Sequence, residues 1–186
     1  LHACCRYNHA ALDALWKIIE QHSEVKNINQ IKKIEVQSYN LAAELNDQNP
    51  RNVLACKFSI PFAISTTLVN LDSGVLSFTE IMRTNKNIQN LCQKVTIVED
   101  RTMTEKTPDL RPADVHVLME NGSTFKAQVT TNRGDWQDPY SEEELKQKFI
   151  SLTTRLWSQK KALNVYSKSI KLEKIPLDDL INSIIN

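Results

Sequence analysis

Residues 113–130 read ADVHVLMENGSTFKAQVT, and this stretch limits the fold more than any other. Val115, Val117 and Met119 alternate with polar neighbours, and so do Phe125, Ala127 and Val129. That period of two puts each apolar set on one side of a strand. Asn121-Gly122 sits between the runs and supplies turn residues for an antiparallel hairpin. One face of such a pair is apolar and must be covered by the rest of the chain.

The expected cover is helical. Residues 9–22, HAALDALWKIIEQH, place Leu12, Leu15, Trp16 and Ile19 on one face of an amphipathic helix. In the apolar run 57–71, Ser59 reads as an N-cap with Ile60 and Pro61 in the first turn, and Asp72-Ser73-Gly74 as the stop. Further helices are expected over 77–83 and 86–93, the second opened by Asn85 or Asn87. Ser141 with Glu144 forms a capping box that opens a helix to about Gln159, and a last helix spans Pro176 to Ile185. Two more strands are expected over 31–39 (IKKIEVQSY) and 94–100 (KVTIVED) from their β-branched content. Residues 40–52 and 131–140 read as loops, and 160–175 as a weakly packed connection. This order implies an α+β fold: a mainly antiparallel four-stranded sheet with helices packed on one face.

Composition excludes several classes. Lys and Arg number 23 against 22 Asp and Glu, so a net charge of +1 gives no electrostatic reason to expect nucleic acid or an anionic membrane as partner. No apolar run approaches the ~20 residues that span a bilayer. Cys4, Cys5, Cys56 and Cys92 form no CxxC pair, so neither a zinc nor a redox site is expected. A reducing compartment fits such cysteines: the cytoplasm, or the mitochondrial matrix in a eukaryote. No secretory signal is visible. The chain opens without Met, straight into a motif-dense segment, as expected of a piece of a longer protein.

That segment, CCRYNHAALD, concentrates reactive side chains at a helix start. Arg6 suits bidentate binding of a carboxylate. His9 suits proton transfer or hydrogen bonding, and a helix N-terminus attracts an anion. The competing structural reading has His9 capping or packing, Arg6 paired with Asp13, and the cysteines filling core. His22 and His116 are read as structural.

Four segments, in order, resemble the C-terminal domain of the MmgE/PrpD family. They are CCRYNHAALDAL, ACKFSIPFAISTTL, VHVLMENGSTFKAQV and GDWQDPYSEEELKQKF, together spanning residues 4 to 149. The family includes 2-methylcitrate dehydratase, cis-aconitate decarboxylase and iminodisuccinate epimerase. The resemblance implies that residues 1–186 are an α+β lid whose cleft is completed by a helical N-terminal domain absent from this chain. It implies a small di- or tricarboxylate substrate, no cofactor, and a homodimer when full length. It puts His9 forward as catalytic, and Arg6 and Cys5 as substrate-binding. Lys57 and Ser59 are further binding candidates, although Ser59 also suits a cap and Lys57 a solvated surface. Asp135, Trp136 and Asp138 are candidates for the lid edge. The family's lysine before this motif falls ahead of residue 1. A tyrosine used by some members after the first strand has no counterpart expected here, because Tyr39 sits out of register. A non-enzymatic binding module is the alternative reading.

Overall fold

The computed structural model describes residues 1–185, in two compact units, one covering Leu1–Asp138 and the other beginning at Pro139.

The first unit is built on a four-stranded sheet of order β2-β1-β3-β4. The strands are β1 (Ile31–Ser38), β2 (Val95–Glu99), β3 (Ala113–Met119) and β4 (Thr124–Val129). β3 pairs antiparallel with both β4 and β1, but β1 pairs parallel with β2. The sheet is therefore mixed, which corrects the mainly antiparallel expectation in one of its three pairings. Parallel neighbours require a long crossover, and residues 39–94 provide it.

The expected hairpin is formed by β3 and β4, with Asn121-Gly122 in its loop. Asn121 is not left-handed, as a two-residue Asn-Gly turn of type I′ would need. Instead the Met119 N–H reaches the Ser123 carbonyl at 2.9 Å, leaving three loop residues with Gly122 at φ 88°.

Helix α1 (His9–Gln21) buries Leu12, Leu15 and Ile18 and packs over β3 and β4. The crossover holds α2 (Asn40–Ala43), α3 (Val53–Lys57), α4 (Ile60–Asn70), α5 (Glu80–Thr84) and α6 (Lys86–Cys92). Both α2 and α3 fall where the sequence reads as loop or as the lead-in to α4. Each is about one turn long, too short for a periodic pattern. α4 lies against α1, α6 and β2, with Ile60, Phe62, Ile64 and Leu68 buried. Ser59 caps it, its hydroxyl accepting the Phe62 N–H at 3.0 Å. Asn85 caps α6 through the N–H groups of Asn87 and Ile88. A single turn, α7 (Arg101–Thr104), follows β2.

Alternation sorts the sheet's faces. Ile34, Val36, Val115 and Val117 are buried under the helices, while Glu35, Gln37, His116 and Lys126 share the opposite face. His116 there meets Asp114 at 3.1 Å, and His22 stacks on Phe125 with ring centroids 4.4 Å apart.

The second unit contains α8 (Glu142–Thr153), α9 (Gln159–Ser169) and α10 (Leu177–Ile185). The Ser141–Glu144 capping box is present, but α8 stops at Thr153. Ser158 then caps a separate helix, so the expected connection over 160–175 is largely α9, with Ala162 and Val165 buried. α9 packs against both α8 and α10. No helix among the described residues is long and apolar enough to cross a membrane.

α4 ends on Leu71, which is left-handed at φ 50°, ψ 37° and 45% exposed, whereas Gly74 has φ −77°. A β-carbon is disfavoured in that conformation and glycine is not. Leu71→Gly is expected to stabilise the protein by about 0.5–1 kcal/mol in urea unfolding. A loss of stability would mean that the side chain's packing outweighs its backbone strain.

Candidate functional site

The N-terminal segment is held to the fold by its backbone. The Ala3 N–H donates to the Ser73 carbonyl at 2.9 Å and the Cys5 N–H to the Lys57 carbonyl at 2.8 Å. A 3-10 turn, Arg6–Asn8, then leads into α1, so His9 is the first residue of that helix. Buried Asn8 donates from Nδ2 to the same Lys57 carbonyl at 3.0 Å.

The segment lies across one end of the sheet. Ser38 pairs with Ala113, and Ala113 with Val129, so the carboxyl ends of β1 and β4 meet the amino end of β3 there. Tyr39 leaves β1 at this end, and residues 130–138 leave β4. Tyr7 packs edge-on against Tyr39 with ring centroids 5.8 Å apart. Arg6 pairs with Asp135, whose second oxygen accepts the Thr131 hydroxyl at 3.0 Å. Arg133 pairs with Asp138, and Gly134, at φ 91°, lets the loop turn back so that its N–H meets the Asp138 carbonyl at 2.8 Å.

His9 is partly buried, and its Nε2 lies 3.2 Å from the Cys4 carbonyl. A carbonyl oxygen only accepts, so Nε2 carries the hydrogen and Nδ1 keeps a lone pair. Burial, helped by the charge of His2, lowers the imidazole from its ordinary 6.5 to about 4. At neutral pH His9 is therefore an unprotonated imidazole, able to accept a proton but holding none to give away. Burial pushes the Cys4 thiol up to about 12, so it stays a thiol and contributes its carbonyl rather than a nucleophile.

The other sequence candidates separate. Arg6 keeps 40% of its side chain exposed while bound to Asp135, so a ligand carboxylate would compete for a cation already paired. Its partner is Asp135 and not Asp13, as the structural reading had expected. Cys5 is half-buried beside it. The Lys57 ammonium is half-buried with no partner among the described residues. Ser59 is fully buried, donating to the Asp47 carbonyl at 2.5 Å while accepting the Phe62 N–H, so its hydroxyl is committed to structure. Trp136 is 85% exposed in the loop after β4.

Two features escape the sequence pattern. Tyr39 is buried at the end of β1, and its hydroxyl has no hydrogen-bond partner among the described residues. Burial raises its pKa, against the Arg111 and Arg6 charges, so it is a phenol and a donor. It stands immediately after β1. The second is His2, whose Nδ1 lies 2.6 Å from Ser73 Oγ and whose Nε2 lies 2.9 Å from Asp13 Oδ1. Neither was legible, because both depend on contacts between distant parts of the chain. Among the described residues no group of three or more His, Cys, Asp and Glu side chains is arranged to hold a metal ion.

The profile of the MmgE/PrpD C-terminal domain matches residues 2–172, and the chain belongs to that family. The match takes in the whole N-terminal segment, the sheet and both α8 and α9. No curated protein matches the chain.

The lowered His9 pKa has a sign for stability. Above pH 6.5 the imidazole is neutral in folded and unfolded chains alike and contributes nothing. Below it the unfolded chain takes the proton first, so stability falls as pH drops towards 4. By pH 5 the loss from this residue is about 2 kcal/mol. His9→Gln is therefore expected to flatten the fall in unfolding free energy between pH 7 and 5 by that amount. Parallel pH profiles in variant and wild type would refute the lowered pKa.

Proposed function

We propose that this chain is the C-terminal, lid-like domain of a 2-methylcitrate dehydratase-like lyase. Its substrate is a small di- or tricarboxylate, and the other wall of the cleft is the helical domain of the same protein. The observation that supports the reading is the meeting of Arg6, His9 and Tyr39 at one end of the sheet. These are a half-exposed cation, a partly buried proton acceptor and a buried hydroxyl with no hydrogen-bond partner among the described residues.

Dehydration removes a proton from the carbon beside a carboxylate, forms a C=C bond and expels the hydroxyl as water. His9 Nδ1 offers a free lone pair for the first step; burial leaves it a weak base, so stabilisation of the carbanion must supply much of the barrier lowering. Arg6, released from Asp135 by the substrate, would bind a carboxylate and stabilise the charge that grows on it as the carbanion forms. The Tyr39 hydroxyl suits a hydrogen bond to the same oxygens. His9 enters the reaction without a proton to spare, so a separate acid must protonate the leaving hydroxyl, and in this reading the helical domain supplies it. Decarboxylation and epimerisation need the same carbanion stabilisation and would use the same three residues.

Two outcomes are expected. The 186-residue chain alone should not turn over 2-methylcitrate or cis-aconitate, because the acid and much of the binding surface are missing. In the protein that joins it to the helical domain, His9→Ala and Arg6→Ala should each lower kcat/KM tenfold or more, about 1.4 kcal/mol or above. Turnover by the single domain, or wild-type kinetics in both variants, would overturn the reading.

A further inference from the structure

His2 lies outside the residues assigned a role above, yet it is among the most constrained side chains in the molecule. Its side chain is 4% exposed and both ring nitrogens are engaged. Asp13 only accepts, so Nε2 carries a hydrogen, and Nδ1 meets the Ser73 hydroxyl, which can either donate or accept. The second oxygen of Asp13 accepts the Arg133 N–H at 2.7 Å. A serine, histidine and aspartate in contact suggest a nucleophile. Ser73, however, is only 5% exposed, and its carbonyl holds the Ala3 N–H. The unit is a clasp on the chain.

What the clasp holds is His9. Asp13 lies one turn after His9 on α1, on the same side of the helix. Anchored on Asp13, the His2 ring stands edge-on to the His9 ring, with centroids 5.2 Å apart and planes at 71°. With Ala3 tied to Ser73, the Cys4 carbonyl is brought to His9 Nε2. We propose that His2 and Asp13 are positioning residues that hold His9 as its Nε2–H tautomer on the Cys4 carbonyl, leaving Nδ1 free to take a proton. Without the clasp the first residues lose their anchor, Nε2 loses its acceptor and the imidazole can turn over.

The inference rests on the reading of His9 as the proton acceptor, but its test needs no turnover. The charged side chains acting on His9 are His2 and Asp13. Long-range proton–nitrogen NMR of the 186-residue chain reads the tautomer and the titration of each histidine. The wild type should show His9 as Nε2–H alone, titrating well below 6.5. His2→Phe keeps a ring but loses both hydrogen bonds. It should give His9 as a mixture of tautomers with a midpoint raised by at least about one pH unit. Asp13→Asn should also mix the tautomers. Should His2→Phe not fold, Ser73→Ala removes only the far bond of the clasp and should give the same changes in smaller degree. A folded variant of His2 or Ser73 that melts lower, but keeps His9 as Nε2–H with a wild-type midpoint, would overturn the proposal and leave the clasp merely structural. If instead the NMR changes appear, yet the protein with its helical domain turns over no carboxylate, positioning stands and the lyase reading fails.

Discussion

The carboxylate of Asp13 is the junction on which the candidate wall depends. One oxygen holds His2 and the other holds the backbone of Arg133. Through His2 it reaches Ser73 and the first residues of the chain; through Arg133 it reaches the loop whose Asp135 holds Arg6. The first residues of the chain and the loop after β4 thus meet on one side chain of α1, and Ser73 joins them through His2. Hydrogen bonds to a charged group contribute roughly 1.5–3 kcal/mol each, and leaving one buried partner unsatisfied costs on a similar scale. That is a large share of the stability of a domain this size. The position of the wall is therefore tied to the stability of the fold.

The sheet decides where this junction lies. Three strand ends converge at Ser38, Ala113 and Val129, and the segments leaving them carry Tyr39 and Asp135. Helices on one face only leave the strand ends open to the N-terminal segment that crosses them. The result is a short surface with paired arginines at its rim and a neutral imidazole and a neutral phenol set deeper. Burial widens the pH range over which both are neutral: it lowers the base His9 and raises the acid Tyr39. A group kept neutral among cations is suited to exchanging protons or hydrogen bonds with an anion rather than to neutralising it.

Much of this was legible in the sequence. The period of two over 113–129, the apolar stripe of α1 and the Ser59 and Ser141 caps are local signals, and each stands where it was read. The family resemblance rested on the same segments. What escaped was of two kinds. Short or polar helices, α2, α3 and α9, form because tertiary packing stabilises them beyond their own propensity. Contacts between distant segments leave no spacing to read: the parallel β1–β2 pair, the partner of Arg6, the clasp on His2 and the orphaned Tyr39 hydroxyl.

The central claim is that Arg6, His9 and Tyr39 form one wall of a carboxylate cleft. The most direct measurement is a crystal structure of the protein comprising this domain and the helical domain, with 2-methylcitrate bound. The account expects a substrate carboxylate about 3 Å from the Arg6 guanidinium, with His9 Nδ1 facing the carbon that loses its proton. A ligand seated away from this end of the sheet, or His9 turned so that Nδ1 faces the core, would contradict it.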